Sequence, residues 1–278
     1  MNQVARKIVP EVRKPSFQLE NLEKYYMNNN PVSTHFLNSL HLIFPDGEKY
    51  FIRSVRAYAD KIQDPVLKER VKGFISQEAQ HMSAHKKVWE KIQQTSPIAK
   101  DFLSFYNYTC YEILEPLTRN TIGDSLPLAI TAALEHYTAV IAEVALSDDG
   151  KILSEINKEM KELLYWHAAE EIEHKSVAYD VYEEMVGNYP IRIAGMIYAT
   201  VVLSFYTFLG QGMLLAFDGD IKWGNVLDSI IKFGNKAQPL FKNIFDNLSG
   251  YFAIDFHPDK IENFHLAEDY LDRFKKEV

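Results

Sequence analysis

Two Glu-x-x-His units, Glu78-Ala79-Gln80-His81 and Glu171-Ile172-Glu173-His174, constrain this chain more than anything else in it. On an α-helix at ~100° per residue, positions three and four apart lie on one stripe. Each unit therefore offers a carboxylate and an imidazole on one helix face, a turn apart. His167 stands four residues before Glu171, so His167, Glu171 and His174 fall within about 40° of a single line. An upstream glutamate in a separate apolar-periodic stretch precedes each unit: Glu48 lies 30 residues before Glu78, and Glu135 lies 36 before Glu171. Four-helix dinuclear carboxylate proteins take one glutamate from each of two helices and a Glu-x-x-His from each of the other two. The order Glu48, Glu78 with His81, Glu135, Glu171 with His174 matches that scheme. Four inward carboxylates could not all stay ionised in a helix-bundle interior without cations.

A lone Glu-x-x-His is common in a Glu-rich helical chain, and the neighbouring Glu170 and Glu173 would suit a solvated face. A third copy, Glu262-Asn263-Phe264-His265, has no partner glutamate at the right spacing and reads as surface. What separates the first two copies is their register. Glu48 lies 15 residues before Gln63 at an expected turn and Glu78 lies 15 after it, which sets both at one height in an antiparallel pair. The second pair is less regular. Its midpoint, residue 153, falls past the turn expected at Asp148-Asp149-Gly150. Either the connection extends to Leu153 with Ser154 as N-cap, or Glu135 and Glu171 are offset along the helices.

The rest of the pattern is helical throughout. Apolar residues recur at helical spacing from Val32 to Phe44, Pro45-Asp46-Gly47 reads as an interruption, and a helix restarts towards Ile62. Asp64-Pro65 opens a helix to about Gln93 with aspartate as N-cap and proline in the first turn. Residues 97–120 read as a helix disturbed near Pro116, and Pro127 opens another that reaches Ser147. A long helix is expected from Lys151 or Ser154 to Val186, stopped by Gly187-Asn188-Tyr189-Pro190. No useful strand alternation occurs. The expected class is all-α, a ferritin-like four-helix bundle with 97–120 in a long crossover and additional C-terminal helices. The expected organisation is an N-terminal extension (1–31), a metal-binding bundle (32–189), and an apolar helix with C-terminal helices packed on or anchoring it (190–278).

Residues 193–217 carry no charge between Arg192 and Asp218. A helix of that length reaches ~37 Å, enough to contact or cross a bilayer, although a central bundle helix would look the same. An amphipathic stretch with Lys232, Lys236 and Lys242 follows from Val226 to Phe245. The net charge of −8 excludes nucleic acid as the main partner. A single cysteine, Cys110, excludes a disulfide framework and a multi-cysteine zinc site. The expected location is the cytoplasm, with the inner face of the cell membrane as the alternative. A homodimer is open.

Beyond the main ligand set, His85 reads as core or as a neighbour of the ligands, His136 as packed, and Glu143 as a poorer substitute for Glu135. His35, His41 and His257 have no interpretable spacing. The stretches Phe44-Pro45-Asp46-Gly47-Glu48, Gln77-Glu78-Ala79-Gln80-His81, Leu134-Glu135-His136 and Trp166 to His174 resemble a bacterial family labelled "predicted metal-dependent hydrolase". The likeness spans most of the chain and implies a metal-dependent enzyme. The His-x-x-x-Glu-x-x-His arrangement also resembles di-iron N-oxygenases of aryl amines, in which a seventh ligand joins six; here that is His167.

The expected metal ligands are Glu48, Glu78, His81, Glu135, His167, Glu171 and His174, around two divalent ions, iron first, with manganese or zinc as alternatives. Three functions follow. A di-iron site with an electron donor could oxidise a small or lipid-like substrate with O2. A metal-activated water could attack an ester, amide or phosphoester. A storage protein would hold the metal without turnover.

Overall fold

A computed structural model describes residues 8–147, 153 and 156–275. Helix α1 (Pro31–Ala59) begins where Asn30 accepts the Ser33 N–H and Pro31 supplies a preset φ. It runs unbroken through Pro45, against the expected interruption. Proline lacks the N–H that would bond the His41 carbonyl four residues back. The Trp89 indole N–H supplies that donor instead, 2.8 Å from His41 O. Trp89 belongs to α2 (Pro65–Thr95), which Asp64 caps as expected. The short connection makes α1 and α2 antiparallel neighbours.

The region 98–122 holds α3 (Ile98–Asn107), a π-helical turn (Tyr108–Leu114) and α4 (Glu115–Ile122). The ladder widens just ahead of Pro116, which has no N–H for the carbonyl four residues back. Next come α5 (Ser125–Ser147), α6 (Lys158–His174), α7 (Val177–Met185), α8 (Tyr189–Ala216), α9 (Val226–Tyr251) and α10 (Phe264–Lys275). The class is all-α; among the described residues the only ladder contact is an isolated bridge, Met27 with Ile156.

The single helix expected from Lys151 or Ser154 to Val186 is two helices. Asn157 caps α6; the expected turn at Asp148-Asp149-Gly150 and the Ser154 cap lie outside the described residues. The later break falls at Lys175-Ser176. Lys175 Nζ donates to Ile261 O and Asn263 Oδ1, both at 2.6 Å, and Ser176 Oγ accepts from Arg70 at 2.7 Å. Two buried polar side chains thus take tertiary partners that turn the chain away from α6. The heights still agree: Glu135 stands twelve residues before the end of α5, and Glu171 thirteen after the start of α6.

Helices α1 and α2 pack together, as do α5 and α6; α1 also meets α5, and α2 meets α6 and α7. Among the described residues two large apolar clusters, and a smaller one around Ala169, Ile172 and Leu271, fill the interior. One large cluster gathers Val55, Ile62, Phe74, Leu128 and Tyr182, the other Leu42, Val88, Phe102, Met160 and Trp166. Along α1, along α2 and from α6 into α7 the acidic residues fall between the two large clusters, so apolar packing closes the polar layer at both ends.

Helix α8 carries the uncharged stretch. One face packs on α1 and α5: a Cβ at Gly195 would come within 2.7 Å of the Ala129 backbone, and Gln211 Nε2 donates to Val32 O at 3.0 Å. The other face exposes Ile197, Val201, Phe205 and Phe208. Both α5 and α8 are long and apolar enough to cross a membrane, but α5 is mostly buried and about a third of the apolar window of α8 is buried against other helices. Helix α8 is therefore neither a free-standing span nor a wholly buried core helix.

Candidate metal centre

Glu48 comes from α1, Glu78 and His81 from α2, Glu135 from α5, and His167, Glu171 and His174 from α6. All seven side chains point into the layer between the clusters, and none is more than 6% exposed. Donor atoms of Glu48, Glu78 and His81 lie within 4.8 Å of one another, as do those of Glu78, Glu135 and His174, and those of His81, His167 and Glu171. Glu78 belongs to two of these groups. Glu171 reaches both histidines of the paired motifs, 3.4 Å from His81 Nδ1 and 3.4 Å from His174 Nε2. Glu78 and Glu171 thus lie between the Glu48–His81 side of the cluster and its Glu135–His174 side.

The donor atoms fit a cation. Both oxygens of Glu48, Glu78 and Glu135, Oε2 of Glu171, Nδ1 of His81 and Nε2 of His174 are buried without a hydrogen-bond partner. Each would cost about 1–3 kcal/mol or more if nothing neutralised it. Buried unpaired acceptors facing one another are what a divalent ion satisfies, and mixed carboxylate and imidazole donors suit iron, manganese or zinc.

Where no cation neutralises them, protons would take up part of the charge. Burial pushes the Glu48 carboxyl well above its ordinary range, and nearby Glu78 adds to this. Burial also lifts Glu135 to about 8, against the downward pull of His174. Glu171 goes the other way despite its burial, held well down by His174 and His167. Burial opposes the charged forms of His81 and His174. Even so, the hydrogen bond to Glu170 and the nearby carboxylates of Glu171 and Glu78 raise His81, and Glu171 with Glu135 raises His174.

An outer ring orients the imidazoles. His81 Nε2 lies 3.0 Å from Glu170 Oε2, leaving Nδ1 for the cluster. His174 Nδ1 lies 2.9 Å from Gln77 Oε1, leaving Nε2 for it. Gln77 Nε2 donates to Glu173 at 2.6 Å, and Arg13 bonds both Glu170 and Glu173 at 2.8–3.1 Å. Partners of this kind fix tautomer and ring direction at metal sites. His167 holds Glu171 Oε1 at 2.8 Å through Nε2, while its Nδ1 lies 2.9 Å from His85 Nε2. His85 in turn meets His41 Nδ1 at 2.8 Å. His85 Nε2 is also 3.8 Å from Glu48, so it borders the cluster directly.

The motif reading missed this ring. Glu170 and Glu173 had suggested a solvated face, yet both are buried, at 0% and 8% exposure. Their cation, Arg13, lies more than 150 residues away, and no local pattern points to it. Gln77 was findable, since it shares a stripe with His81 four residues on. The remaining candidates lie elsewhere. His136 faces Asn247 O at 3.4 Å, Glu143 accepts from Asn263 at 2.7 Å, and Glu262 and His265 are exposed. His35 and His257 pair with Asp218 and Asp180, each at 2.8 Å.

Apolar space adjoins the centre. A cavity of about 140 Å3, walled by Leu37, Leu40, Phe44 and Ile141, reaches His167 and Glu171. A second, of about 80 Å3, reaches those two residues and Glu48.

This is a helical protein with a buried carboxylate–histidine centre shaped for divalent metal. Residues 11–262 match the family model described as predicted metal-dependent hydrolase. The chain belongs to that family and is a metal-dependent enzyme by that membership. No curated protein and no solved structure matches it.

Proposed function

We propose that the protein is a dinuclear, carboxylate-bridged oxidase or oxygenase that uses O2 on an apolar substrate. The neighbour pattern of α1, α2, α5 and α6, with α3 and α4 in the crossover, supports a ferritin-like connectivity. Glu48 and His81, with His167 beside them, would hold one ion and Glu135 and His174 the other, with Glu78 and Glu171 within reach of both. Bound iron would supply electrons to O2, replenished by an external donor. The chain's own residues do the rest: the aliphatic walls exclude water, Gln77 and Glu170 keep the imidazoles aimed, and His85 steadies His167.

One observation carries this reading. The side of the cluster at His167 and Glu171 opens onto cavities walled by aliphatic and aromatic groups. A hydrolase needs donors placed for a developing oxyanion and a proton for the leaving group. The walls shared by both cavities are mainly Leu40, Phe44 and Ile141, with Thr138 as the one hydroxyl among them, a lining that suits an apolar substrate better than a charged tetrahedral intermediate. The family's description favours the second reading, a metal-activated water attacking an ester or amide.

Anaerobic loading with Fe(II) followed by O2 separates the two. Oxidation predicts O2 uptake that depends on iron and fails with zinc. Ester or amide cleavage by zinc-loaded protein without O2 establishes hydrolysis in its place. The exposed apolar residues of α8, and those of α9 (Leu227, Ile230, Ile231, Phe245), support peripheral attachment at the inner face of the cell membrane. Flotation with anionic vesicles tests this, and protein that stays at the bottom of the gradient refutes it.

A further inference from the structure

Residues 8–19 form neither helix nor strand, yet they lie along one stripe of α2 beside the metal centre. Arg70, Gly73 and Gln77 stand at steps of three and four on that helix, so they share a face. Arg70 Nε donates to Ile8 O at 3.2 Å, and Gln77 Nε2 donates to Glu11 O at 2.9 Å. Between them Pro10 lies on Gly73, where a Cβ would come within 2.4 Å of Pro10 O. Phe17 then packs on Trp166 with 5.5 Å between ring centroids, and Lys91 Nζ donates to Glu20 O at 3.0 Å. The segment is a strap fastened by side chains of α2 and α6.

Arg13 is where the strap meets the centre. Its guanidinium bonds Glu170 at 3.1 Å and Glu173 at 2.8 and 3.1 Å. Each carboxylate leads on to a different imidazole of the cluster. Glu170 orients His81 directly, and Glu173 orients His174 through Gln77. One side chain of the strap thus holds both arms of the outer ring.

An ion must also reach this buried cluster. The cavities approach it along Glu171 and His167, but their walls of Leu40, Phe44 and Ile141 offer little to a dication that has to shed water. The strap meets α6 at Glu170 and Glu173 instead, and there carboxylates stand in file. Glu11, 61% exposed, lies 3.7 Å from Arg13, and Glu170 and Glu173 lie behind it. Acidic groups in that order draw cations inward, and the guanidinium occupies the route as a resident positive charge.

We propose that the strap is the gate of the metal centre and Arg13 its latch. Ions enter and leave between α2 and α6 when residues 8–19 lift and Arg13 releases Glu170 and Glu173. This rests on the metal-centre reading of the site and on neither of the two chemistries. Closed, the latch keeps both imidazoles aimed. Lifted, it bares the carboxylates and lets both rings turn, so exchange quickens at either end of the cluster.

The test uses the full-length chain. Zn(II)-loaded protein is mixed with a chromogenic chelator to time release, and chelator-stripped protein is mixed with Zn(II) to time uptake. Gly73→Ala alters no expected ligand and pushes on the Pro10 carbonyl. It should speed release and uptake alike, about tenfold each, and leave Zn(II) affinity within about threefold. Pro10→Gly, which loosens the strap without crowding α2, serves if that variant melts early. Arg13→Gln should speed release about tenfold or more and also weaken affinity, because both imidazoles lose their orientation. Arg13→Lys keeps the charge but not the fork, and should fall between Arg13→Gln and the parent protein.

Unchanged release by folded Gly73→Ala and Pro10→Gly proteins overturns the proposal. Faster release with unchanged uptake in those variants overturns it as well, since a damaged site loses affinity whereas an opened gate does not. The two readings fail separately. Tight Zn(II) binding with unaltered exchange sinks the gate alone, and protein that takes up no Zn(II) sinks the metal centre and the gate with it.

Discussion

Replacing Glu135 by glutamine should move stability in opposite directions with and without metal. Its carboxyl, buried among other acids, is lifted from an ordinary 4.5 to about 8. An acid whose folded-state pKa lies above its unfolded value costs stability as pH rises through that interval. The cost is absent below about pH 4.5 and complete above about pH 8. At pH 7 it amounts to about 3 kcal/mol. Glutamine keeps the shape and cannot ionise, so it removes the cost. It also gives His174 a weaker partner than the carboxylate 3.2 Å away, which returns about 1 kcal/mol. The net gain is about 2 kcal/mol, or roughly 4–8 °C in melting temperature for a chain of this size. With metal the sign reverses. A cation at 1,000 times its Kd stabilises the native protein by about 4 kcal/mol, and glutamine, a neutral ligand, forfeits most of that, more than the roughly 2 kcal/mol it gains. Scanning calorimetry at pH 7 in chelator and in excess Mn(II) reads both arms. A Glu135→Gln protein that melts lower in chelator, or that gains equally in both conditions, refutes the argument that unneutralised charge dominates this layer.

Three further outcomes follow from the same geometry. Gln77→Leu removes the acceptor that orients His174, and metal affinity measured by chelator competition should fall about 10–100-fold with the helix content unchanged. Trp89→Phe leaves the His41 carbonyl without a donor and should cost about 1–3 kcal/mol in urea unfolding; Pro45→Ala, which restores the helical N–H, should recover most of it, and additive losses would show that the indole bond does not matter. Gly195→Leu forces side-chain atoms into the Ala129 backbone, already 2.7 Å from a bare Cβ, and should destabilise by about 1–3 kcal/mol or more; unchanged melting would mean that α8 does not dock as described.

The legible parts of the sequence were those with local causes. Asp64-Pro65 announced α2 because capping needs only neighbouring atoms. Conversely, Pro45 looked like a helix end because its rescuing donor, Trp89, sits 44 residues away on another helix. The split between α6 and α7 was equally hidden. Lys175 and Ser176 are ordinary helix residues until Asn263 and Arg70 bond them. The apolar run on α8 was visible, but composition could not say that one face would pack on α1 and α5 while the other stayed exposed.

The chain alone determined which side chains could meet: helical spacing ties glutamate to histidine one turn on, and equal distances from a turn set Glu48 and Glu78 level. Only the tertiary structure decided what surrounds them. Arg13 closing the outer ring over Glu170 and Glu173, His85 and His41 lining up behind His167, and α9 walling a cavity beside Glu171 all depend on residues far apart in sequence. Periodicity reports the direction of a side chain from its own helix axis. The partner that waits there is set by how the helices pack.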